Sequence, residues 1–348
     1  MYYKRCILLL AASIALCNFR IARAAFTDRV RLAHGTEAGE VASTTPLEVT
    51  VSKGAAGNQT VAVDQIRLIQ FEGEPSELSQ ARVQAGNGAY AKALQLLDKI
   101  EVSRVQRDLI KQDIEFFKAY CAAKLALNGE GQILEAGRQL NTFVREHPNS
   151  FHYLDAAAVM GDLLMADGRF EAAEKQYAEL SKTPWPDYKM RADVSVGRTL
   201  QAQNKHVAAI QKFDAALALA DDSADAQTQK LEATLGKAVS LAATGKADQA
   251  IGTIEKVIRD ADPQQKDLQA RAHLALGKCL EKAGRTKEAL WAYLYVDIIY
   301  NTVPEVHAEA LARLVPLWKA VGQDERSRET RESLQQRYPN SRWAKEAK

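Results

Sequence analysis

The sequence predicts a mainly α-helical protein, an α-solenoid of about seven helical hairpins preceded by a small β-barrel-like module. A pattern of a small residue, Leu, Gly, an aromatic residue and Ala recurs along the chain and is best formed in Gly161–Leu180. The composition is 47% hydrophobic with only 7% aromatic residues, which suits close packing of helices through small side chains. Residues 26–73 instead alternate apolar and polar side chains, which is typical of short β-strands.

The first 24 residues have the features of a secretory signal peptide. The basic pair Lys4-Arg5 opens the chain, an apolar run follows at 6–17, and Ala22-Arg23-Ala24 supplies a small-x-small cleavage site. We expect cleavage directly after this triplet or one residue later. The apolar run is too short to span a membrane, so we expect an exported protein of the periplasm or cell envelope, with no membrane span after cleavage. Lipidation at Cys17 and an uncleaved N-terminal anchor stay open as alternatives.

The net charge of the chain indicates which classes of partner to expect. The whole chain has 46 basic and 44 acidic residues, and removal of residues 1–24 takes away four basic residues and no acidic one. The remaining net charge near −2 gives no indication of binding to nucleic acid or to a membrane surface.

Cys121 and Cys279 are the cysteines that remain after removal of residues 1–24. Because they fall in different hairpins, we expect free buried thiols rather than a disulfide.

Residues 26–73 predict a small β module. Four or five short stretches of alternating side chains are separated by turn residues, including His34-Gly35 and a loop at 54–58. The pattern resembles a small SH3-like or Sm-like barrel. A module of this size buries little core of its own, so we expect it to pack on the first helical hairpin. The solenoid is predicted to span residues 77–348, after a hinge at Gly73-Glu74-Pro75-Ser76.

The best-formed stretch explains how one hairpin is expected to fold. Gly161 lets two helices approach closely, and Gly168 suits the left-handed conformation that ends the first helix. Phe170 follows the turn, and Ala173, three residues later, lets the second helix pack against the first. The large side chains between these small residues are then expected to fill the space between hairpins.

Weaker copies of this stretch recur from about residue 77 to the end of the chain. The small residue of the second helix marks each copy, at intervals of 36–43 residues. These small residues are Ala93, Ala136, Ala173, Ala209, Ala250, Ala289 and Ser327. Asn204 replaces the turn glycine of the fourth copy and is the second-best residue for that geometry. A last polar helix from Arg342 is expected to cap the solenoid.

This pattern resembles the tetratricopeptide repeat over residues 77–348. Gly161 and Ala173 match the small residues at the eighth and twentieth positions of that repeat, and Tyr177 matches the aromatic residue at the twenty-fourth. The resemblance implies a right-handed solenoid whose first helices line a concave groove that binds proteins or peptides. Every interval exceeds the usual period of about 34 residues, which keeps HEAT-type repeats, with periods of about 40–47 residues, open as an alternative.

Two helix ends resemble a particular group of repeat proteins. His147-Pro148-Asn149-Ser150 and Tyr338-Pro339-Asn340-Ser341 each stop a helix with the same Pro-Asn-Ser order. Such ends resemble the exported repeat proteins of the bacterial envelope, among them cell-division coordinators and outer-membrane assembly factors. This resemblance implies an envelope location and carries no specific partner.

The sequence carries no pattern of a catalytic or metal-binding site, so we expect no enzyme, no cofactor and no metal. His-Glu-x-x-His, Cys-x-x-Cys, Gly-x-Ser-x-Gly and a phosphate-binding glycine loop are all absent from it. The six histidines are scattered along the chain, without the spacing of metal ligands.

The concave groove that the resemblance implies is the remaining candidate for a functional site. The resemblance places certain positions of each first helix on the groove side, and several of these are charged here. Arg191 and Arg198 are seven residues apart, as are Arg271 and Lys278, so each pair shares one helix face. The predicted peptide- or protein-binding residues are Asp155, Asp162, Arg191, Arg198, Arg271 and Lys278. A basic groove would bind an acidic peptide or carboxy terminus, and solvated charge on exposed helices is the alternative interpretation.

These features together predict a non-enzymatic scaffold or adaptor of the bacterial cell envelope. We expect it to bind partner proteins or peptides, acidic ones in particular, in its concave groove, and we expect no nucleic-acid partner. The alternative is a structural envelope component that assembles through its ends and its β module without a groove ligand. The sequence leaves the identity of the partner and the oligomeric state open.

Overall fold

The computed structural model of the chain describes residues 26–346. The predicted signal peptide, residues 1–24, lies outside the described residues. Within 26–346 a β-sheet is followed by fifteen α-helices. None of the helices in this part of the chain combines the length and the apolar character that a membrane crossing needs.

Five short strands form one antiparallel sheet in the order β4-β3-β2-β1-β5. The strands are β1 (Asp28–Leu32), β2 (Thr36–Thr44), β3 (Glu48–Ser52), β4 (Asn58–Ala62) and β5 (Ile66–Gln70). Val30 pairs with Ile69, and Val49 pairs with Val61. All four side chains are buried, so the alternating pattern of the sequence places one face of the sheet in the core.

The sheet is open. β4 and β5 are its two edges, and among the described residues no ladder of hydrogen bonds joins them. A one-turn 3₁₀ helix, Val63–Gln65, connects these edge strands instead. The hydrogen bonding therefore does not show the expected barrel closure, and the likeness to an SH3-like or Sm-like barrel stays a prediction.

Fourteen of the described helices form seven successive hairpins, and a short helix follows them. The helices are α1 (Ser76–Gly86), α2 (Tyr90–Leu97), α3 (Asp108–Leu127), α4 (Ile133–Glu146), α5 (Tyr153–Ala166), α6 (Phe170–Ser181), α7 (Pro186–Ala202), α8 (His206–Ala218), α9 (Ala224–Ala243), α10 (Ala247–Asp260), α11 (Lys266–Lys282), α12 (Thr286–Ile298), α13 (Pro304–Ala320), α14 (Asp324–Arg337) and α15 (Arg342–Glu346). The predicted mainly helical solenoid is thereby confirmed.

Small residues hold the hairpins together. All seven small residues that mark the second helices are buried. Gly161 of α5 faces the ring of Tyr177 in α6, and a Cβ atom added to this glycine would overlap that ring. Gly168 has a φ of 76° at the end of the first helix, and Asn204 adopts the same left-handed conformation with a φ of 59°. The local packing is the one that the sequence pattern predicts.

The sheet shares its core with the first helices of the solenoid. Val30 and Ile69 of the sheet lie in one apolar cluster with Leu78 of α1, Leu97 of α2 and Ile114 of α3. All five side chains are almost completely inaccessible to solvent. The β module thus obtains from the helices the core that it is too small to build alone.

The last hairpin returns to the second one. Asn340, in the turn before α15, donates its backbone N–H to the carbonyl oxygen of Gly129, between α3 and α4, over 3.3 Å. A Cβ atom added to Gly129 would lie 3.2 Å from the backbone nitrogen of Ser341. The last hairpin of the solenoid therefore contacts the second one. The first helices of the hairpins face an inner space.

The two cysteines of the described chain are free and buried, Cys121 in α3 and Cys279 in α11. Burial raises the pKa of both thiols to about 12. Neither thiol therefore ionises near neutral pH, which agrees with the predicted structural role.

Candidate functional site

A cavity on the inner side of the solenoid, which we call the larger cavity, is distinct from a smaller cavity beside the sheet that is described below. It has a volume of about 570 Å³ and is lined mainly by residues of α7, α9, α11 and α13, the first helices of the later hairpins. Trp343 of α15 and Met165 of α5 also contribute to its wall. Three of the six predicted site residues line this cavity, namely Arg198, Arg271 and Lys278.

Glu232 of α9 joins two of these predicted residues. Its carboxylate lies 2.7 Å from Nη2 of Arg198 in α7 and 3.2 Å from Nε of Arg271 in α11. We call these three residues the first triad. Two guanidinium groups from neighbouring hairpins share one carboxylate, so the first triad has a net charge of +1.

Glu309 of α13 joins a second set of cations. Its carboxylate lies 2.6 Å from Nζ of Lys278 in α11 and 3.6 Å from Nη2 of Arg313 in α13. Burial raises the pKa of Glu309, but Lys278 and Arg313 outweigh burial and hold this pKa below its usual value. This second triad also contains two cations and one carboxylate. Glu281, 4.0 Å from Arg313, brings the net charge of this set of four residues to zero.

The predicted basic residues therefore do not form a row of free cations. Each of the four contacts a carboxylate of a neighbouring first helix. The cavity wall alternates in sign, with six cationic side chains and five carboxylates. An additional carboxylate can join such a triad through charge-assisted hydrogen bonds, which are roughly twice as strong as those between neutral groups.

Asp155 and Arg191 lie apart from the larger cavity. Nη1 of Arg191 in α7 donates to Asp155 in α5 over 3.2 Å. Both residues line a smaller cavity of about 320 Å³ between β5 and the helices α1, α3, α5 and α7. Arg67 of β5 also reaches Asp225 of α9, at 2.9 Å. Three of the six predicted residues therefore line the larger cavity and two line the smaller one, so the structure does not bring all six to one site.

Asp162 has a partner within its own hairpin. The hydroxyl group of Tyr177 donates to its carboxylate over 2.8 Å. The hydroxyl group of Tyr293 makes the corresponding hydrogen bond to Glu281 in the sixth hairpin. In both hairpins, the tyrosine that packs against the glycine of the first helix also donates a hydrogen bond to an acidic residue. This hydrogen bond within one hairpin gives Asp162 a structural role.

A buried ion network in the wall of the smaller cavity has no counterpart among the predicted residues. Nε of Arg82 in α1 donates to Asp113 in α3 over 2.8 Å, and its Nη1 donates to Glu74 over 2.8 Å. Nε2 of His152 lies 2.6 Å from Asp113, and its ring stacks on Phe116 with centroids 3.8 Å apart. The network connects three hairpins through residues far apart in sequence, so no local pattern could have indicated it.

One group of potential metal ligands occurs among the described residues, formed by Glu115, Glu146 and His147. Both glutamates are exposed, and Nε2 of His147 lies 2.7 Å from the carboxylate of Glu115. A surface hydrogen bond between His147 and Glu115 explains this group, and we assign no metal to it.

Sequence comparison identifies the repeat class of the hairpins that line the larger cavity. The sequence model of the tetratricopeptide repeat matches residues 158–224, 197–266 and 235–298. This match decides between the tetratricopeptide and HEAT alternatives for these hairpins. No curated protein matches the sequence of the chain significantly.

Solved structures share the fold of the helical part. A tetratricopeptide repeat protein from Parabacteroides merdae ATCC 43184 has a TM-score of 0.53 at 16% identity, over 78% of this chain and 96% of that chain. NprR in complex with its cognate peptide NprX has a TM-score of 0.52 at 12% identity, over 78% of this chain and 82% of that chain. Identities this low show the fold alone. The tetratricopeptide repeats are thus identified over residues 158–298, and the helical part of the chain shares the fold of these solved structures.

Proposed function

We propose that the chain is a non-enzymatic interaction scaffold whose larger cavity binds a segment of a partner protein or peptide. The observation that carries this proposal is the cavity wall, where two triads, each of two cations and one shared carboxylate, face a space of about 570 Å³. Such a wall favours a ligand that carries acidic side chains or a C-terminal carboxylate.

The separation of the two triads favours an extended ligand. Arg271 and Lys278 stand seven residues apart on α11, which corresponds to about 10 Å along a helix. An extended peptide advances about 3.3 Å per residue, so about three residues would span both triads. Val239 and Trp343, which are only partly buried, also line the cavity and supply apolar contact area for the side chains of the ligand.

A protein of similar fold, NprR, has been solved with its cognate peptide. This complex supports a peptide or an unfolded protein segment as the class of ligand. A solenoid offers a long inner surface to such a segment, which suits recognition better than catalysis.

We further propose that the chain acts in the bacterial cell envelope. The basic, apolar and small-residue order of residues 1–24 and the two Pro-Asn-Ser helix ends support this location. N-terminal sequencing of the chain from fractionated cells tests it. We expect a periplasmic chain that begins at Ala25 or Phe26, whereas a cytoplasmic chain that keeps residues 1–24 would contradict an exported function.

A matched pair of double variants tests the groove. Arg198→Gln with Lys278→Gln removes one cation from each triad, while Arg271 and Arg313 remain to pair with the carboxylates. We therefore expect this groove variant to fold. The control removes two exposed cations of α4 and leaves the cavity intact; it is Arg138→Gln with Arg145→Gln.

Partner proteins would be captured from an envelope fraction, identified by mass spectrometry and reduced to the bound segment as a synthetic peptide. We expect the parent and the control to bind this peptide equally and the groove variant to bind it about tenfold more weakly, a loss of about 1.4 kcal/mol. Equal affinity for all three chains would overturn the proposal. That result would favour a structural component that assembles without a groove ligand.

A further inference from the structure

Aromatic rings are prominent in the wall of the smaller cavity. Four of these rings are only half-buried, so part of each ring stays accessible. They belong to Phe117 and Tyr120 of α3, to Phe151 directly before α5, and to Tyr188 of α7. Ile66 and Leu68 of β5, also half-buried, add aliphatic surface on the side of the sheet. A concave, mainly apolar surface with a few polar groups is typical of a ligand site.

Packing against neighbouring rings fixes the aromatic side chains in place. The ring of Phe151 lies over His152, with centroids 3.9 Å apart. Phe117 contacts the same imidazole edge-on, at 5.6 Å and 82°. Tyr188 packs on Trp185 with centroids 5.0 Å apart. Because these rings are already held, the cavity loses little conformational entropy when it takes up a ligand.

The charged groups of the wall differ in what they can still bind. Arg82, Asp113 and His152 form hydrogen bonds with one another and are buried. The side chain of Arg191 is 34% exposed, and within residues 26–346 it donates one hydrogen bond, from Nη1 to Asp155 over 3.2 Å. A guanidinium group has five N–H donors. Arg191 can therefore also donate to an oxygen atom of a ligand.

The volume of the smaller cavity limits the size of this ligand. The cavity holds about 320 Å³, which is at the lower end of the range of about 300–1,000 Å³ for sites of small organic molecules. One large side chain with its adjoining peptide group suits such a space. Aromatic pairs prefer edge-to-face or offset contacts, with centroids about 4.5–7 Å apart, so the rings of the wall favour an aromatic side chain.

We propose that the smaller cavity holds a bulky apolar side chain, an aromatic one in particular, of the same partner segment that the larger cavity binds. A backbone carbonyl oxygen next to that side chain accepts a hydrogen bond from Arg191. The inference rests on the proposed function and adds the type of residue that anchors the ligand. Aromatic residues in well-packed pockets are frequent anchors of protein–protein contacts.

Two helices carry both cavities. α5 contributes Asp155 to the smaller cavity and Met165 to the larger one. α7 likewise contributes Arg191 to the smaller cavity and Arg198 to the larger one. The smaller cavity thus lies near the beginning of both helices and the larger cavity near their ends. A segment that runs along α5 and α7 would meet both cavities.

This arrangement sets a spacing within the ligand. Arg191 and Arg198 stand two turns apart on one face of α7, which corresponds to about 10 Å. An extended peptide advances about 3.3 Å per residue. We therefore expect the aromatic residue about three positions from the acidic residue that contacts the first triad.

The Gly86→Trp variant tests the smaller cavity by itself. Gly86 lines this cavity at the end of α1, and a Cβ atom added to it has no neighbour within 4 Å. The variant should therefore fold with unchanged helix content and obstruct the cavity. Gly252→Trp is the matched control, because Gly252 of α10 is also exposed and without neighbours but lines neither cavity. The probe is N-acetyl-tryptophan amide, and N-acetyl-alanine amide is its small counterpart.

Saturation-transfer NMR measures contact between these probes and the full chain. We expect the tryptophan probe to bind the parent and Gly252→Trp equally and Gly86→Trp about tenfold more weakly. The alanine probe should receive no saturation from any of the three chains. Equal binding of the tryptophan probe to Gly86→Trp and the parent, or no binding to the parent, would overturn the inference.

Synthetic peptides separate this inference from the proposed function. Each probe peptide carries one Trp and a pair of Glu residues in a Gly/Ser background, with Trp three positions before the pair in one peptide and three positions after it in the other. We expect the parent to bind one order more tightly. Gly86→Trp should then reduce its affinity to that of the peptide with Ala in place of Trp. Arg198→Gln with Lys278→Gln should reduce it to that of the peptide with Gln in place of Glu.

The two variants give distinguishable failures. A loss in the Arg198→Gln, Lys278→Gln chain alone would leave the proposed function intact and overturn the assignment of the smaller cavity. A loss in Gly86→Trp alone would support the aromatic site and overturn the proposed function. Binding of neither peptide to the parent would overturn the inference that one segment occupies both cavities.

Discussion

Arg107 holds Asp28 through two hydrogen bonds, from Nη1 to Oδ1 over 2.6 Å and from Nη2 to Oδ2 over 2.8 Å. The carboxylate of Asp28 is completely buried and also accepts the backbone N–H groups of Val41 and Glu72, each over 2.8 Å. This one acid connects β1 to β2, to the end of the sheet and to the residue directly before α3. It fixes the β module on the solenoid.

Asp28→Asn should lower the free energy of unfolding by about 3 kcal/mol, because removal of one partner from a buried ion pair leaves the other uncompensated. Chemical denaturation followed by circular dichroism measures this loss. Asp222→Asn is the matched control, since the Asp222 side chain is fully exposed and contacts Lys230 only at 3.8 Å. A control that loses as much as Asp28→Asn would mean that burial of the ion pair is not the cause.

The same pair should make stability depend on pH. Burial raises the pKa of Asp28, but hydrogen bonds from Arg107, Val41 and Glu72 outweigh burial and hold the pKa below its ordinary value. A lowered folded pKa means that the stabilisation is complete above the unfolded pKa of about 3.9 and is lost as the pH falls through the folded value. The difference in unfolding free energy between the parent and Asp28→Asn should therefore shrink below about pH 4. A difference that stays constant from pH 7 to pH 3 would contradict this assignment.

Gly161→Ala should destabilise the third hairpin, because the added Cβ atom would overlap the buried ring of Tyr177. We expect a loss of about 1–3 kcal/mol, despite the higher helix propensity of Ala. Gly252→Ala on the exposed side of α10 is the control, since nothing lies within 4 Å of its added Cβ. This control should gain about 0.5–1 kcal/mol. If both variants melt above the parent, Gly161 is not at a tight helix contact.

Ala173→Leu should overpack the contact between α5 and α6, because Ala173 is completely buried. The expected cost is about 1–3 kcal/mol in thermal or chemical unfolding. Ala178→Leu adds the same atoms at an exposed position of the same helix and should change stability by less than about 0.5 kcal/mol. Equal losses at the two positions would contradict the packing role of the small residue.

The hairpins could be predicted because their determinants are local. Gly161, Gly168 and Ala173 lie within one stretch of thirteen residues, and the same order recurs along the chain. The triads could not be predicted in this way. Glu232 pairs with Arg198 across 34 residues, through helices whose neighbourhood only the fold establishes. Within the triads, only the contact between Glu309 and Arg313 could be predicted locally, because residues four apart on one helix are neighbours.

In the β module, too, the local features could be predicted from the sequence and the long-range contacts could not. Its strands follow from the alternating pattern, since the period of two is a local property. Its position over Asp155 and Arg191 depends on contacts that no local pattern contains. These include the ion pair of Arg107 with Asp28 and the contact of Arg67 with Asp225. The sequence predicted one groove for six residues, whereas Asp155 and Arg191 line a separate cavity beside the sheet.

Cys121 and Cys279 should resist alkylation in the folded chain. Burial raises the pKa of both thiols to about 12, and alkylation requires the thiolate and access to it. Iodoacetamide labelling at pH 8, mapped by mass spectrometry, should modify the two peptides only after unfolding. Rapid labelling of either peptide in the native chain would mean that the inner packing of α3 or α11 opens easily.

Site-specific photo-crosslinking in the producing cell tests the central claim most directly, that a partner segment occupies the larger cavity. A photoreactive residue at Lys282 lies in the cavity wall, whereas one at Lys175 lies on the exposed side of α6, outside this lining. We predict that position 282 crosslinks to a discrete partner, that position 175 does not, and that Arg198→Gln with Lys278→Gln abolishes the product. Crosslinks from position 175 with none from position 282 would contradict the account.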